Sequence, residues 1–293
     1  MIPARRLAAV GIGVSVAAVA CSTPTPEPAL PEPALPEPST TAADPAPEAA
    51  EAAGEEASVS TARLEAQLEE IAGEVAAAFG GRLGVAVAGE AGQVSAGDAA
   101  ATPAWSTIKV PIAVAALRAD ESLYPSAVSA ITVSDNTAAE NLYRAVGPGA
   151  VNEVLAEAGM AATLNTEVVR PEFSTFGQTL LTPAQEAQLA GALACLDGAG
   201  DVLGLMGSID PGQAWGLGVL PGAKFKGGWG PGTDGAYQVR QLGLIALADA
   251  SFAAASLSAF PADGSFATGQ LMLTAAANRL AQLDGLPRAA CQP

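Results

Sequence analysis

Apolar positions Leu64, Leu68, Ile71, Val75 and Phe79 recur at three- and four-residue spacing, which predicts an amphipathic helix that Ser60-Thr61 caps and Gly80-Gly81 stops. Two apolar runs follow, 82–89 and 93–95, divided by the polar Glu90-Ala91-Gly92 in the manner of a hairpin. Residues 104–110 lead into an apolar helix over 112–117, with Pro111 suited to its first turn. Helical patterning returns over 134–146 and 150–158, again from Thr182-Pro183 to about Leu196, and over 271–283. Between the last two lie strand-like runs, 223–227, 236–247 and 250–258, separated by Gly230-Pro231-Gly232 and Asp249. Helix, two strands, helical block, three strands, helix is an α+β order. It implies one antiparallel five-stranded sheet built from both ends of the folded region, helices on each face, an inserted helical lobe, and a cleft where lobe meets sheet.

The N-terminal part follows another pattern. Arg5 and Arg6 precede an apolar run over 7–20 that is short for a membrane span and reads as a secretory signal over residues 1–20. Ala18-Val19-Ala20-Cys21-Ser22 resembles the lipobox of bacterial lipoproteins, which implies a lipidated Cys21 and anchoring on the outer face of the cytoplasmic membrane. Residues 21–60 are rich in Pro, Ala and Glu, contain a near-repeat over 26–38, and carry acids with no Lys or Arg among them. Such a segment is expected to be a disordered, polyproline-like stalk, at ~3.1 Å per residue reaching on the order of 100 Å from the membrane. The folded domain is expected over 61–293.

With Cys21 lipidated, the chain's other two cysteines, Cys195 and Cys291, form an even pair in an exported protein, and a disulfide between them is predicted; two unpaired thiols are the alternative.

A formal charge of −17 with no basic cluster excludes a nucleic-acid binder. The absence of histidine removes Ser-His-Asp and Cys-His catalysis and the histidine-based zinc motifs. A serine nucleophile here needs another base, and the chain has only three lysines, Lys109, Lys224 and Lys226.

Three short motifs carry the chemistry. Ser106 and Lys109 stand at i and i+3, so their side chains can meet, and a lysine made neutral by burial and a second cation can take a serine proton. Ser134-Asp135-Asn136 opens a predicted helix, where it also suits a plain N-cap. Lys226-Gly227-Gly228-Trp229 continues from a predicted strand, where absent side chains would let a substrate backbone lie along the edge; a glycine-rich turn is the alternative.

In that order the motifs resemble the Ser-x-x-Lys, Ser-Asp-Asn and Lys-Thr-Gly signature of class A β-lactamases and penicillin-binding proteins, over about residue 60 to the C-terminus. The resemblance implies a β-lactamase/transpeptidase-like fold and an acyl-enzyme at Ser106, formed with a β-lactam or a cell-wall peptide amide. It implies that Lys109 assists as base, that Ser134 and Lys226 return the proton to the leaving nitrogen, and that Asn136 holds the substrate's side-chain amide. The backbone N–H groups of Ser106 and Trp229 would form the oxyanion hole, beside Gly227 and Gly228 in the substrate-binding strand. No metal or organic cofactor is implied.

Three departures bear on function. Gly227 replaces the Thr or Ser whose hydroxyl meets a substrate carboxylate. The interval from Ser106 to Ser134 is short, which implies a reduced helical lobe. The loop before Thr182-Pro183 lacks the glutamate–asparagine pair that holds a deacylating water, leaving Glu167 and Glu172 as the available acids. The expected function is a serine hydrolase of this superfamily. The alternatives are a DD-peptidase-like enzyme with slow deacylation and a binding lipoprotein that has lost turnover.

Overall fold

The computed structural model describes residues 47–293, with side chains continuous from Ser60. The signal segment, Cys21 and the part of the stalk up to residue 46 lie outside the described residues. The first helix, α1 (Pro47–Phe79), starts earlier than the Ser60-Thr61 cap predicts. Residues 47–58 are mostly Ala and Glu, both strong helix formers, and Pro47 stands where its missing N–H costs nothing. The glycines at 80 and 81 do end the helix, both with positive φ.

The hairpin β1 (Gly81–Gly89) and β2 (Gly92–Gly97) follows, then β3 (Thr102–Pro103), a 3-10 turn over Trp105–Ile108, α2 (Lys109–Ala119) and α3 (Tyr124–Thr132). Helix α4 (Asn136–Glu157) is interrupted at Gly147, whose φ of 72° and ψ of 175° are non-helical and which Pro148 follows, so the two predicted helical stretches lie on either side of this kink. Then come β4 (Leu180–Leu181), α5 (Pro183–Ala192), α6 (Gly200–Met206), β5 (Lys224–Pro231), β6 (Tyr237–Ala246), β7 (Phe252–Pro261) and α7 (Phe266–Leu280). Thr182 caps α5 in a capping box with Gln185.

The main sheet is antiparallel, in the order β2-β1-β7-β6-β5, as the α+β reading requires. Its strands alternate between two cores. Ala86, Ala88, Leu242 and Leu244 face α2, α4 and α5, while Val85, Val87, Val239 and Leu257 face α1 and α7. Strand β5 is an edge and runs on through Gly230 and Pro231, where a turn is predicted from sequence. A proline is tolerated there because an edge strand leaves alternate N–H groups unpaired.

Between Ser106 and Ser134 the chain makes α2, α3 and one short 3-10 turn. Cys195, just after α5, is disulfide-bonded to Cys291, tying the C-terminal segment to that side of the sheet.

Candidate active site

Ser106 lies in the 3-10 turn that runs directly into α2, near the N-terminal, amide-rich end of the combined helix. The residue before it, Trp105, has φ of 53°, a strained value for a non-glycine. Trp105 is held by a hydrogen bond from its indole Nε1 to Gln238 Oε1 at 3.1 Å and by edge-on packing against Phe173.

Lys109, the first residue of α2, is 1% exposed. Its Nζ donates to Ser134 O at 2.6 Å, to Asn136 Oδ1 at 2.7 Å and to Ser134 Oγ at 3.3 Å. Burial lowers its pKa to about 8, against the opposing pull of the Asp135 carboxylate. The i, i+3 spacing allows the Ser106 and Lys109 side chains to meet, but no hydrogen bond joins them; the Ser106 hydroxyl has no hydrogen-bond partner among the described residues and remains partly exposed.

Ser134 precedes α4 with φ of 61°, and Asp135 caps that helix by accepting from Ala138 N at 2.7 Å. The motif is thus an N-cap whose first residue also touches both lysines. Asp135 makes the cap, while the left-handed backbone at Ser134 sends its hydroxyl to the lysines.

Lys226 on β5 is fully buried and donates to Ser134 Oγ at 3.0 Å and to Gly227 O at 2.9 Å. Burial, and then the charge of Lys109, push its pKa well below the ordinary lysine value. Lys109, Ser134, Asn136 and Lys226 thus form one connected cluster, fed by α2, the α4 N-terminus and β5.

Strand β5 passes directly over the Ser106 turn. A Cβ at Gly228 would lie 2.6 Å from Ala104 O and 3.0 Å from both Ser106 N and Thr107 N, so only glycine allows this approach. On the opposite face of β5, a Cβ at Gly227 would meet the Trp215 ring at 3.2 Å. Trp215 packs edge-on against Trp229, so an aromatic wall stands beside the position where the resemblance leads one to expect a hydroxyl.

The two loop glutamates lie elsewhere. Glu172 is ion-paired with Arg170 at 2.8 Å, has a side chain 54% exposed, and is held below the usual carboxylate range by hydrogen bonds from its own backbone N–H and from Arg170. Glu167 is exposed on a cavity of about 1150 Å³ whose lining includes Trp105 but not Ser106. Neither has a hydrogen bond to the lysine–serine cluster.

Sequence reasoning missed one buried group. Glu186 on α5 and Arg240 on β6 form an ion pair at 2.8 Å with both side chains fully buried, beneath the segment that carries Ser106. The available signal was Arg240 itself, a charge inside an apolar strand, which requires a buried partner.

Comparison with known proteins bears on the fold. Residues 120–203 match the model of a beta-lactamase enzyme family, Beta-lactamase2. Among solved structures the chain is similar to an ancestral class A β-lactamase, at 20% identity and a TM-score of 0.59 over 73% of this chain and 98% of that one. The class A β-lactamase of Mycobacterium abscessus matches at 18% identity and 0.60 over 73% and 97%. A β-lactamase from Sphaerobacter thermophilus matches at 20% and 0.58 over 72% and 95%. No curated protein sequence matches the chain significantly. The fold is that of class A β-lactamases.

Proposed function

We propose that the protein is a serine acyl-transfer enzyme that forms an acyl-enzyme at Ser106 with a β-lactam or a cell-wall peptide amide. The observation that carries the reading is Ser134 Oγ within hydrogen-bond distance of both Lys109 and Lys226, two lysines whose pKa values are lowered by burial.

In this reading neutral Lys109 takes the Ser106 proton as Oγ bonds to the substrate carbonyl carbon. The carbonyl oxygen becomes an oxyanion held by the Ser106 and Trp229 N–H groups; losing one such donor typically costs about 3 kcal/mol of transition-state stabilisation. The carbon–nitrogen bond then breaks, and the nitrogen takes the Ser134 proton, which Lys109 and Lys226 replace. Serine accepting from two lysines has its own proton directed outward, as a donor to a leaving nitrogen must. Asn136, exposed and bonded to Lys109, would hold the substrate's side-chain amide.

Release is expected to be slow, because neither Glu167 nor Glu172 reaches the cluster to activate water. This favours a peptidase-like or penicillin-binding role over rapid β-lactam turnover. The sequence of residues 1–60 supports the further reading that the enzyme is exported, lipidated at Cys21 and tethered at the cell envelope.

The test is intact-mass analysis of the protein after incubation with benzylpenicillin. A stable mass increase in the wild type, absent in Ser106→Ala, is expected. No adduct with β-lactams or activated esters would leave a binding lipoprotein as the better description, and fast hydrolysis of a chromogenic cephalosporin would contradict the slow-release part.

A further inference from the structure

We infer that Glu186 and Arg240 are positioning residues for Ser106, acting through Thr107 and the strand that precedes the nucleophile; the inference rests on the acyl-transfer reading of Ser106. Replacing a buried ion pair by packed apolar residues is often neutral or stabilising, so stability alone is a weak account of why a pair is buried here. Its remaining hydrogen bonds point to another role.

Glu186 Oε1 lies 2.5 Å from Thr107 Oγ1, and the same hydroxyl lies 2.7 Å from Ala104 O, so one proton is shared between acceptors on either side of the turn. Glu186 Oε2 accepts from Arg240 Nε and Ser256 Oγ, both at 3.0 Å. Arg240 Nη1 donates to Thr102 O at 2.9 Å and Pro103 O at 3.0 Å, and Nη2 to Leu181 O at 3.1 Å. The pair therefore grips the chain on both sides of Ser106: Thr102 and Pro103 before it, Thr107 after it.

Between those grips sits the strained Trp105, with φ of 53°. A residue held in the left-handed region persists only where its surroundings over-determine it. Gly228 presses on the same turn from β5, so the Ser106 N–H is set by a fixed strand on one side and by the buried pair on the other. Small misplacements of a reacting group cost large factors in rate, and the clamp holds this one in place.

The test uses Thr107→Val, which removes the hydroxyl and keeps the shape, and Thr107→Ser, which keeps the hydroxyl. With a fluorescent penicillin in stopped flow, Thr107→Val should lower the acylation rate constant by about tenfold or more. The dissociation constant of the preceding complex should stay close to wild type, while the Tm should fall, because the buried Glu186 Oε1 loses the hydrogen bond from Thr107. Thr107→Ser should stay within about threefold of wild type. Acylation at the wild-type rate in Thr107→Val, or an equal loss in Thr107→Ser, would overturn the inference.

Hydrogen–deuterium exchange of the peptide spanning 102–110 gives a readout that needs no acylation. Faster exchange confined to that peptide is expected in Thr107→Val and in Glu186→Gln, and unchanged exchange in both would also overturn the clamp. A wild type that no penicillin acylates sinks the acyl-transfer reading, while the exchange experiment still decides whether the pair positions the turn.

Discussion

Lys109 and Lys226 share a single acceptor, Ser134 Oγ, at 3.3 and 3.0 Å. Burial takes both ammonium groups out of water, and the charge of Lys109 adds to the effect at Lys226, so each holds its proton less tightly than an exposed lysine. In a chain without histidine, the proposed mechanism gives such a lysine, partly neutral near physiological pH, the role that imidazole has elsewhere.

A pH dependence follows. A lysine is competent as a base only when neutral, and with a pKa of about 8 roughly a tenth of Lys109 is neutral at pH 7. The acylation rate constant should rise with pH through about 8 and then level off. Stopped-flow acylation between about pH 6 and pH 10 checks this. A rate independent of pH across that range would remove Lys109 as the base.

Asp135 sets where that rise falls. Its carboxylate raises the Lys109 pKa, and its side chain also caps α4. Asparagine caps a helix about as well as aspartate. Asp135→Asn should therefore keep the Tm while moving the midpoint of the acylation profile to lower pH, and a midpoint that stays put would contradict the assignment.

Gly228 is predicted to be irreplaceable for a packing reason. A methyl at Gly228→Ala would be driven into the backbone at Ala104 and Ser106, and overpacking of this kind costs about 1–3 kcal/mol. Thermal denaturation should register that loss. Acylation should fall further than stability does, because the displaced atoms include the Ser106 N–H.

The loop glutamates should be silent. Glu167→Gln and Glu172→Gln are each expected to leave the lifetime of the penicillin adduct within about twofold of wild type, since neither group touches the cluster. A markedly longer adduct lifetime in either variant would identify a deacylating base after all.

The disulfide prediction is thermodynamic. Cys195 and Cys291 close a loop with a sequence separation of 96. Removing such a crosslink in a Cys195→Ser/Cys291→Ser variant typically costs about 2–5 kcal/mol, readable as a lower Tm than that of the oxidised wild type.

Much of the fold was legible because its signals are local. The caps at Thr182 and Asp135, the glycines after α1, and the apolar runs of β1, β6 and β7 each announce themselves within a few residues. The lysines of the cluster stood out because lysine is so scarce. What escaped depends on contacts distant in sequence. Strand β5 continues through Gly228 and Gly230 because those positions press on Ala104 and the Trp105 ring, which no local turn rule registers. The Glu186–Arg240 pair joins a helix to a strand 54 residues away, and only the charge inside an apolar run hinted at it. Lys109 turns to Ser134 rather than to Ser106 because the left-handed backbone at Ser134 presents both an oxygen and a hydroxyl to it.

The measurement that bears most directly on the account is peptide mapping of the penicillin adduct formed at about pH 8, where Lys109 is half neutral. The account predicts one acylated peptide, the one containing Ser106, with the modification lost in Ser106→Ala and slowed in Lys109→Met. An adduct mapped to a lysine or to another serine, or one that persists in Ser106→Ala, would contradict it.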